Sequence, residues 1–431
     1  MDNMANKNIS LRIATYSQDG LGLGHMRRTH LIASQLLKAC PEASVLTLSD
    51  SQLGQFFTPA PNHDYLKLPS IVKDGPGQWR AANLAVPFNE VSALRQDLIR
   101  QAVLSFRPHV LLVDHMPHGA MGELVPTLEA LRNSGLGTKI VLGLRDILDA
   151  PQVVQSRWQV EGAYAAIERY YDRVLIYGMH EVFDLAEQYR FSPQLAERLR
   201  YCGYVGAPAA NRPNPCGRLP RPVTALRKKF LKGPNACAKL VVAMAGGGAD
   251  AYPMMSTLLD ALSMMQQRQR TFLVLVTGPF MPVEQREDLQ SRAQGLPVRV
   301  ITSIEDSNLF LQAADLVVAM AGYNTTVEIL QTGKRAILIP RRGPSAEQRT
   351  RVRLFAERGW IDMIDPDDLS VEFVAQMVSK NLALGPYMLA HTRPNLEGVH
   401  VAAEALIDLL PGATVPVSQP DLRRSMAYEL A

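Results

Sequence analysis

The chain has 431 residues, of which 47% are hydrophobic, and 45 Lys plus Arg stand against 41 Asp plus Glu for a formal net charge of +4. That length can hold two domains with a core each, and so mild a charge speaks against a nucleic-acid-binding surface while admitting an anionic small molecule or a membrane surface. Cys40, Cys202, Cys216 and Cys237 show no CxxC spacing and the N-terminal MDNMANKNIS has no apolar leader, so free thiols and a cytoplasmic location are expected, and no apolar run reaches the roughly 18 residues of a membrane span.

The first expected strand, Leu11–Tyr16, runs into SQDGLGLGHMRR. Gly20, Gly22 and Gly24 alternate there, and the helix that follows repeats apolar residues at Ile32, Ala33, Leu36 and Leu37. The spacing is not GxGxxG, and Asp50 lies too far along for a nicotinamide-type ribose ligand, so dinucleotide binding of that kind is excluded. His25 stands at the helix start, where a neutral imidazole could take a proton from an attacking hydroxyl; the plainer reading is an N-terminal polar residue meeting solvent. Arg27 and Arg28 could meet an acceptor phosphate or simply be solvated. The segment Leu68–Phe88, rich in Gly and Pro but carrying Trp79, Leu84 and Phe88, reads as an acceptor-side loop or a packing flap. Strands at Val110–Val113, Lys139–Leu144 and Arg173–Tyr177 end in polar residues, among them Asp114, His115 and Arg145. These share an edge with His25, and Asp114 could orient it.

Five prolines from Gly203 to Pro222 mark a linker. Leu240–Ala245 then leads into Gly246-Gly247-Gly248-Ala249-Asp250 and a helix beginning near Pro253, a second glycine loop able to cradle phosphate with backbone amides. Phe272–Thr277 and Val298–Thr302 are further strands. From Asp315 the chain reads as strand Leu316–Met320, a turn at Gly322, helix Tyr323–Thr332, strand Ala336–Ile339 and a polar loop to Gln348, one right-handed βαβ unit. Helices follow at Val371–Ala383 and Pro394–Leu409.

That stretch from Asp315 to Gln348, with the loop GLGHMRR, resembles the MurG-like GT-B glycosyltransferases; GLGHMRR is also similar to the first loop of the nucleotide-sugar hydrolase of pseudaminic acid synthesis. The resemblance implies an α/β fold of two Rossmann-like domains facing a cleft: 8–205 on the acceptor side, a linker over 206–222, 223–410 on the nucleotide-sugar side, and a tail over 411–431. It implies that Glu328 holds the donor ribose, that Gln348 contacts the donor sugar, that Ile304 and its neighbours clamp the base, and that Gly246–Gly248 meet the diphosphate. Gly322, Asn324 and Thr325 complete the expected donor side, while Gly22, Gly24, Arg28, His115 and Arg145 form the expected acceptor side, with His25 and Asp114 as the reacting pair. Two points stay open. Thr325-x-x-Glu328 also has the spacing of a helix capping box, and Asp250 stands where the family has a neutral residue.

The expected activity is inverting, metal-independent sugar transfer from a nucleotide-diphospho-sugar, UDP-linked by resemblance, to a hydroxyl of a small-molecule, glycan or lipid-linked acceptor. No cofactor, metal or nucleic acid is expected, and peripheral contact with the inner face of a membrane fits a lipid-linked acceptor. A nucleotide-sugar hydrolase or epimerase, and a non-catalytic sugar-nucleotide-binding partner protein, are the alternatives.

Overall fold

The computed structural model describes residues 11–19, 24–52, 60–75, 78–207, 219–384 and 394–410. Gly20, Gly22, Cys216, most of the proline-rich linker and the tail after Leu410 lie outside the described residues. The strands, in chain order, are β1 Arg12–Ser17, β2 Ser44–Ser49, β3 His63–Lys67, β4 Ile71–Gly75, β5 Gln78–Ala81, β6 Val110–Asp114, β7 Lys139–Arg145, β8 Arg173–Tyr177, β9 Leu199–Tyr201, β10 Lys239–Met244, β11 Thr271–Val276, β12 Val298–Ile301, β13 Leu316–Met320, β14 Ala336–Ile339 and β15 Asp362–Met363.

Two wholly parallel sheets result, ordered β3-β2-β1-β6-β7-β8-β9 and β12-β11-β10-β13-β14-β15. Central strands such as β6 and β13 are buried along their whole length, which is why they read as unbroken apolar runs and not as alternating ones. Period-2 alternation still sorts their side chains: Ile13 belongs to the apolar cluster on one face of the first sheet, Ala14 and Tyr16 to the cluster on the other. Each sheet reverses its winding once, between β1 and β6 in the first and between β10 and β13 in the second. Such switch points open a crevice at the carboxyl ends of the strands. His25 follows β1 and Asp114 ends β6; the triple glycine follows β10 and Gly322 follows β13.

The segment Leu68–Phe88 is an antiparallel hairpin, β4 with β5, followed by the helix Phe88–Phe106, and it packs as a flap on a small apolar cluster. Gly75, Pro76 and Gly77 fall together between two short strand-forming runs in the sequence, which is a turn signal. Ile71 packs with Val91 and Ala120, and Trp79 and Phe88 lean on that small cluster, leaving Leu84 and Val86 exposed.

The two halves are tied together by more than the linker. The last helix, Gly398–Ile407, returns to the first helix, Gly24–Ala39. Arg173 donates to the Ala405 carbonyl at 3.0 Å, and the Tyr204 N–H donates to the Asn395 carbonyl at 2.8 Å. Among the described residues no helix is long and apolar enough to cross a membrane.

Candidate functional site

The helix Gly24–Ala39 starts under restraint. The buried Asp19 carboxylate accepts from the Met26 N–H, and the Asp19 N–H donates to Asp50 Oδ1 at 2.6 Å. Burial pushes the Asp19 carboxyl above its usual range, against the pull of His25 and the Met26 amide. Fixed in this way, the first turn presents His25 to the end of β6. His25 Nδ1 lies 2.7 Å from Asp114 Oδ2, and the ring stacks on His115 at 5.0 Å between centroids. Burial alone would raise the Asp114 carboxyl, but Arg28 and then His25 hold it below its usual value, so it is an anion.

His115 sits where β6 turns out of the sheet, with φ at +77°, a conformation rare for a side chain of this size. Its N–H donates to the Gly143 carbonyl at 2.8 Å, and Arg145 Nη2 approaches its Nε2 at 3.5 Å. Burial, reinforced by the charge of Arg145, drives the His115 imidazole well below its ordinary pKa, leaving it neutral. Its Nδ1 is buried without a protein partner.

The second half supplies the facing wall. Positive φ at Gly246 and Gly248 curls the loop after β10, and a Cβ at Gly248 would stand 1.9 Å from the Thr277 carbonyl oxygen, so that position requires glycine. The Phe280 N–H donates to the Gly247 carbonyl at 2.8 Å, locking this loop to the one after β11. Thr325 lies behind it, its hydroxyl 3.8 Å from a Cβ placed at Gly246. Asp250 faces Arg341, Oδ2 to Nε 3.2 Å, so its charge has a counter-ion. Gln348 is buried and accepts from the Arg341 N–H at 3.1 Å, and Ile304 is half-buried against the apolar cluster before the helix Ser307–Ala313.

The helix Tyr323–Thr332 is capped by Gly322 without a side-chain bond. Thr325 is therefore inside the helix, and the capping box with Glu328 does not form. The Glu328 carboxylate goes elsewhere: Oε1 meets Arg27 Nη2 at 2.5 Å and Oε2 accepts from the Ser307 hydroxyl at 2.8 Å. Arg27 belongs to the first half, so this ion pair crosses the cleft. Asn324 crosses it too, donating to the Gly24 carbonyl at 3.2 Å.

Two expected acceptor-side residues take other places. Arg28 is 1% exposed and is enclosed behind His25, where it cannot meet an acceptor phosphate. Arg145 pairs with Glu347 of the second half at 2.8 Å. Beside that pair, the fully buried Arg351 grips Asp146 through two bonds of 2.7 and 2.8 Å and also holds Glu347 at 2.8 Å. Such a buried, geometrically matched ion pair specifies how the halves dock more than it adds stability. Sequence reading passed over Asp19, Ser307, Tyr323, Asp146 and Arg351. Arg145-Asp146 at a strand end was the one visible signal among them.

Residues 241–405 match the glycosyltransferase family 28 C-terminal domain. A UDP-N-acetylglucosamine–N-acetylmuramyl-(pentapeptide) pyrophosphoryl-undecaprenol N-acetylglucosamine transferase of Polaromonas sp. is 26% identical over 167 residues, 36% of this chain and 42% of that protein. The matched stretch thus spans less than half the length of this curated relative. The crystal structure of MurG from Acinetobacter baumannii superposes over 92% of this chain and 99% of its own, with a TM-score of 0.55 at 14% identity. The chain has the GT-B fold, and its second half is similar to the C-terminal domain of the family 28 glycosyltransferases. A candidate UDP-N-acetylglucosamine 2-epimerase from Listeria monocytogenes shares that fold, with a TM-score of 0.55 at 14% identity over 92% of this chain and 91% of its own. At such identities the likeness concerns architecture, in which both GT-B halves and their cleft are present.

Proposed function

We propose that this protein is a glycosyltransferase that moves a sugar from a nucleotide-diphospho-sugar, UDP-linked, to an acceptor hydroxyl, acting in the cytoplasm. The observation that carries the reading is the convergence across one cleft of the His25–Asp114 pair and the Glu328 carboxylate, which meets Arg27, from the same helical turn as His25, at 2.5 Å. Nδ1–H of His25 donates to Asp114, which leaves Nε2, on the far side of the ring, as the basic nitrogen. It takes the proton from the acceptor hydroxyl as that oxygen attacks the anomeric carbon from the face opposite the leaving diphosphate, giving inversion. Negative charge growing on the diphosphate meets the amides of Gly246–Gly248 and the free N-terminal N–H groups of the helix Tyr252–Arg268, with no metal in the scheme. Glu328 takes the ribose hydroxyls once Arg27 withdraws, the backbone around Ile304 borders the base, and Gln348 turns from the Arg341 amide to the sugar. Gly322, Asn324 and Thr325 shape the donor wall; Gly24 and His115 border the acceptor.

A panel of nucleotide sugars in a thermal-shift assay tests the donor site, and product analysis of the stabilising donor tests the reaction. Transfer that needs an acceptor supports the reading. Acceptor-independent release or inversion of the sugar supports a hydrolase or epimerase, which the Listeria likeness accommodates. Binding that survives with no chemistry, and a function that survives His25→Ala, indicate a non-catalytic partner.

A further inference from the structure

Arg28 is charged, fully enclosed and not exposed to the cleft, which calls for a role other than substrate binding. Its Nε and Nη2 fork the two oxygens of Asp114 at 3.2 and 2.7 Å. The same Asp114 Oδ2 also meets His25 Nδ1 at 2.7 Å, and Arg28 Nη2 stands 2.9 Å from that Nδ1, so the guanidinium abuts both members of the pair. The face of Arg28 lies over two aromatic rings, Tyr177 at 5.2 Å and Tyr323 at 5.5 Å. Tyr177 closes β8 in the first half, and its ring is placed by Gly143, where any Cβ would stand 2.0 Å from the hydroxyl. Tyr323 opens the donor-side helix in the second half. Its hydroxyl donates to the Tyr177 carbonyl at 2.8 Å and accepts from the Val205 N–H at 2.9 Å, and Arg351 lies over its ring at 5.4 Å.

The geometry points to Arg28 as a positioning residue. It fixes the rotation of the Asp114 carboxylate so that one oxygen faces His25 Nδ1, and Tyr323 completes its seat, so the His25–Asp114 pair is set only with the two halves docked. This rests on the reading of His25 as the base. A buried carboxylate with one neighbour can turn about its last side-chain bond and keeps an uncompensated charge; a planar fork removes both freedoms, and an ammonium group cannot reproduce the two parallel bonds. The second half therefore contributes to proton transfer through Tyr323 as well as to donor binding.

The test uses the full-length protein with 15N-labelled histidine and no substrate, the His25 signal being assigned by His25→Gln. Wild type is expected to show one sharp Nδ1–H tautomer. Arg28→Lys, which keeps the charge and loses the fork, and Tyr323→Leu, which removes the ring, should broaden that signal into exchange between tautomers, whereas Tyr323→Phe should keep it. Turnover should fall at least tenfold in Arg28→Lys with donor affinity within threefold of wild type. An unchanged His25 signal in Arg28→Lys and Tyr323→Leu, each with a native near-ultraviolet spectrum, overturns the inference. Absence of any sugar chemistry in wild type would instead remove the functional reading, and the tautomer result would still decide the joint.

Discussion

Arg27 makes a demand on the donor that can be measured. Both oxygens of Glu328 are occupied, by Arg27 at 2.5 Å and by the Ser307 hydroxyl at 2.8 Å, and only 8% of the Glu328 side chain is exposed. A ribose diol can reach that carboxylate only by displacing Arg27, whose own side chain is 36% exposed and regains water when released. A pair with one partner buried and the other partly open to water contributes about 1 kcal/mol. Arg27→Ala should therefore tighten nucleotide-sugar binding about fivefold, since RT ln 5 is about 1 kcal/mol. It should also cost the free protein about as much in stability. Glu328→Ala should weaken binding about tenfold or more, because charge-assisted bonds to the ribose are lost. Titration calorimetry with the donor found by thermal shift, run on both single variants and the double variant, measures the coupling. Binding that weakens or does not change in Arg27→Ala, while Glu328→Ala loses affinity, would refute the competition between guanidinium and ribose.

His25→Ala should lower turnover by two or more orders of magnitude with little change in donor affinity, because the imidazole acts on the attacking hydroxyl; a variant that keeps its rate and loses donor binding contradicts the assignment. Turnover should persist in excess EDTA, the charge of Asp250 being met by Arg341 at 3.2 Å. Loss on chelation, restored by Mg²⁺ and no longer restored in Asp250→Asn, would show a metal held by that acid. Stability should also fall on acidification through a half-buried histidine of the edge strand β3. Burial lowers His63 to about 4, its Nε2 lying 2.8 Å from the Thr47 hydroxyl. The unfolded chain takes this proton near pH 6.5, so the contribution is complete above that pH, declines as pH falls toward 4 and is spent below it. The shift corresponds to about 3 kcal/mol, discounted to roughly 2 for partial exposure. Denaturant melts of wild type and His63→Gln at pH 7 and pH 4.5 should show a shallower pH dependence in the variant; equal dependence would place the acid sensitivity elsewhere.

The buried parallel strands were legible because strand burial on both faces leaves an apolar run of fixed length. β8, β13 and β14, and the helices Tyr323–Thr332 and Val371–Ala383, stand where the residue pattern placed them. β3 is not legible in the sequence: at the sheet edge it is only partly buried, and HDYLK carries little apolar signal. The hairpin β4–β5 was hidden for a similar reason, since most of its side chains are exposed or half-exposed.

At the site, strand order alone brought His25, Asp114, the triple glycine and Gly322 to carboxyl edges, so sequence could nominate them. It could not tell Arg27 from Arg28. The two are adjacent, yet one side chain reaches across the cleft to Glu328 and the other turns inward to Asp114. Neighbouring helical residues point about 100° apart, and only the packed position of the helix decides which direction is cleft and which is core. The same holds for Glu328, whose spacing from Thr325 fits a capping box while the packed structure gives its carboxylate to Arg27 and Ser307. Sequence by itself determined the two parallel sheets and the edge on which chemistry sits, because burial and turn chemistry are written locally. The partners of each charge, Arg27 with Glu328, Arg28 with Asp114 and Arg351 with Asp146, were decided by how the two halves and the first helix pack, since these pairs join residues far apart in the chain.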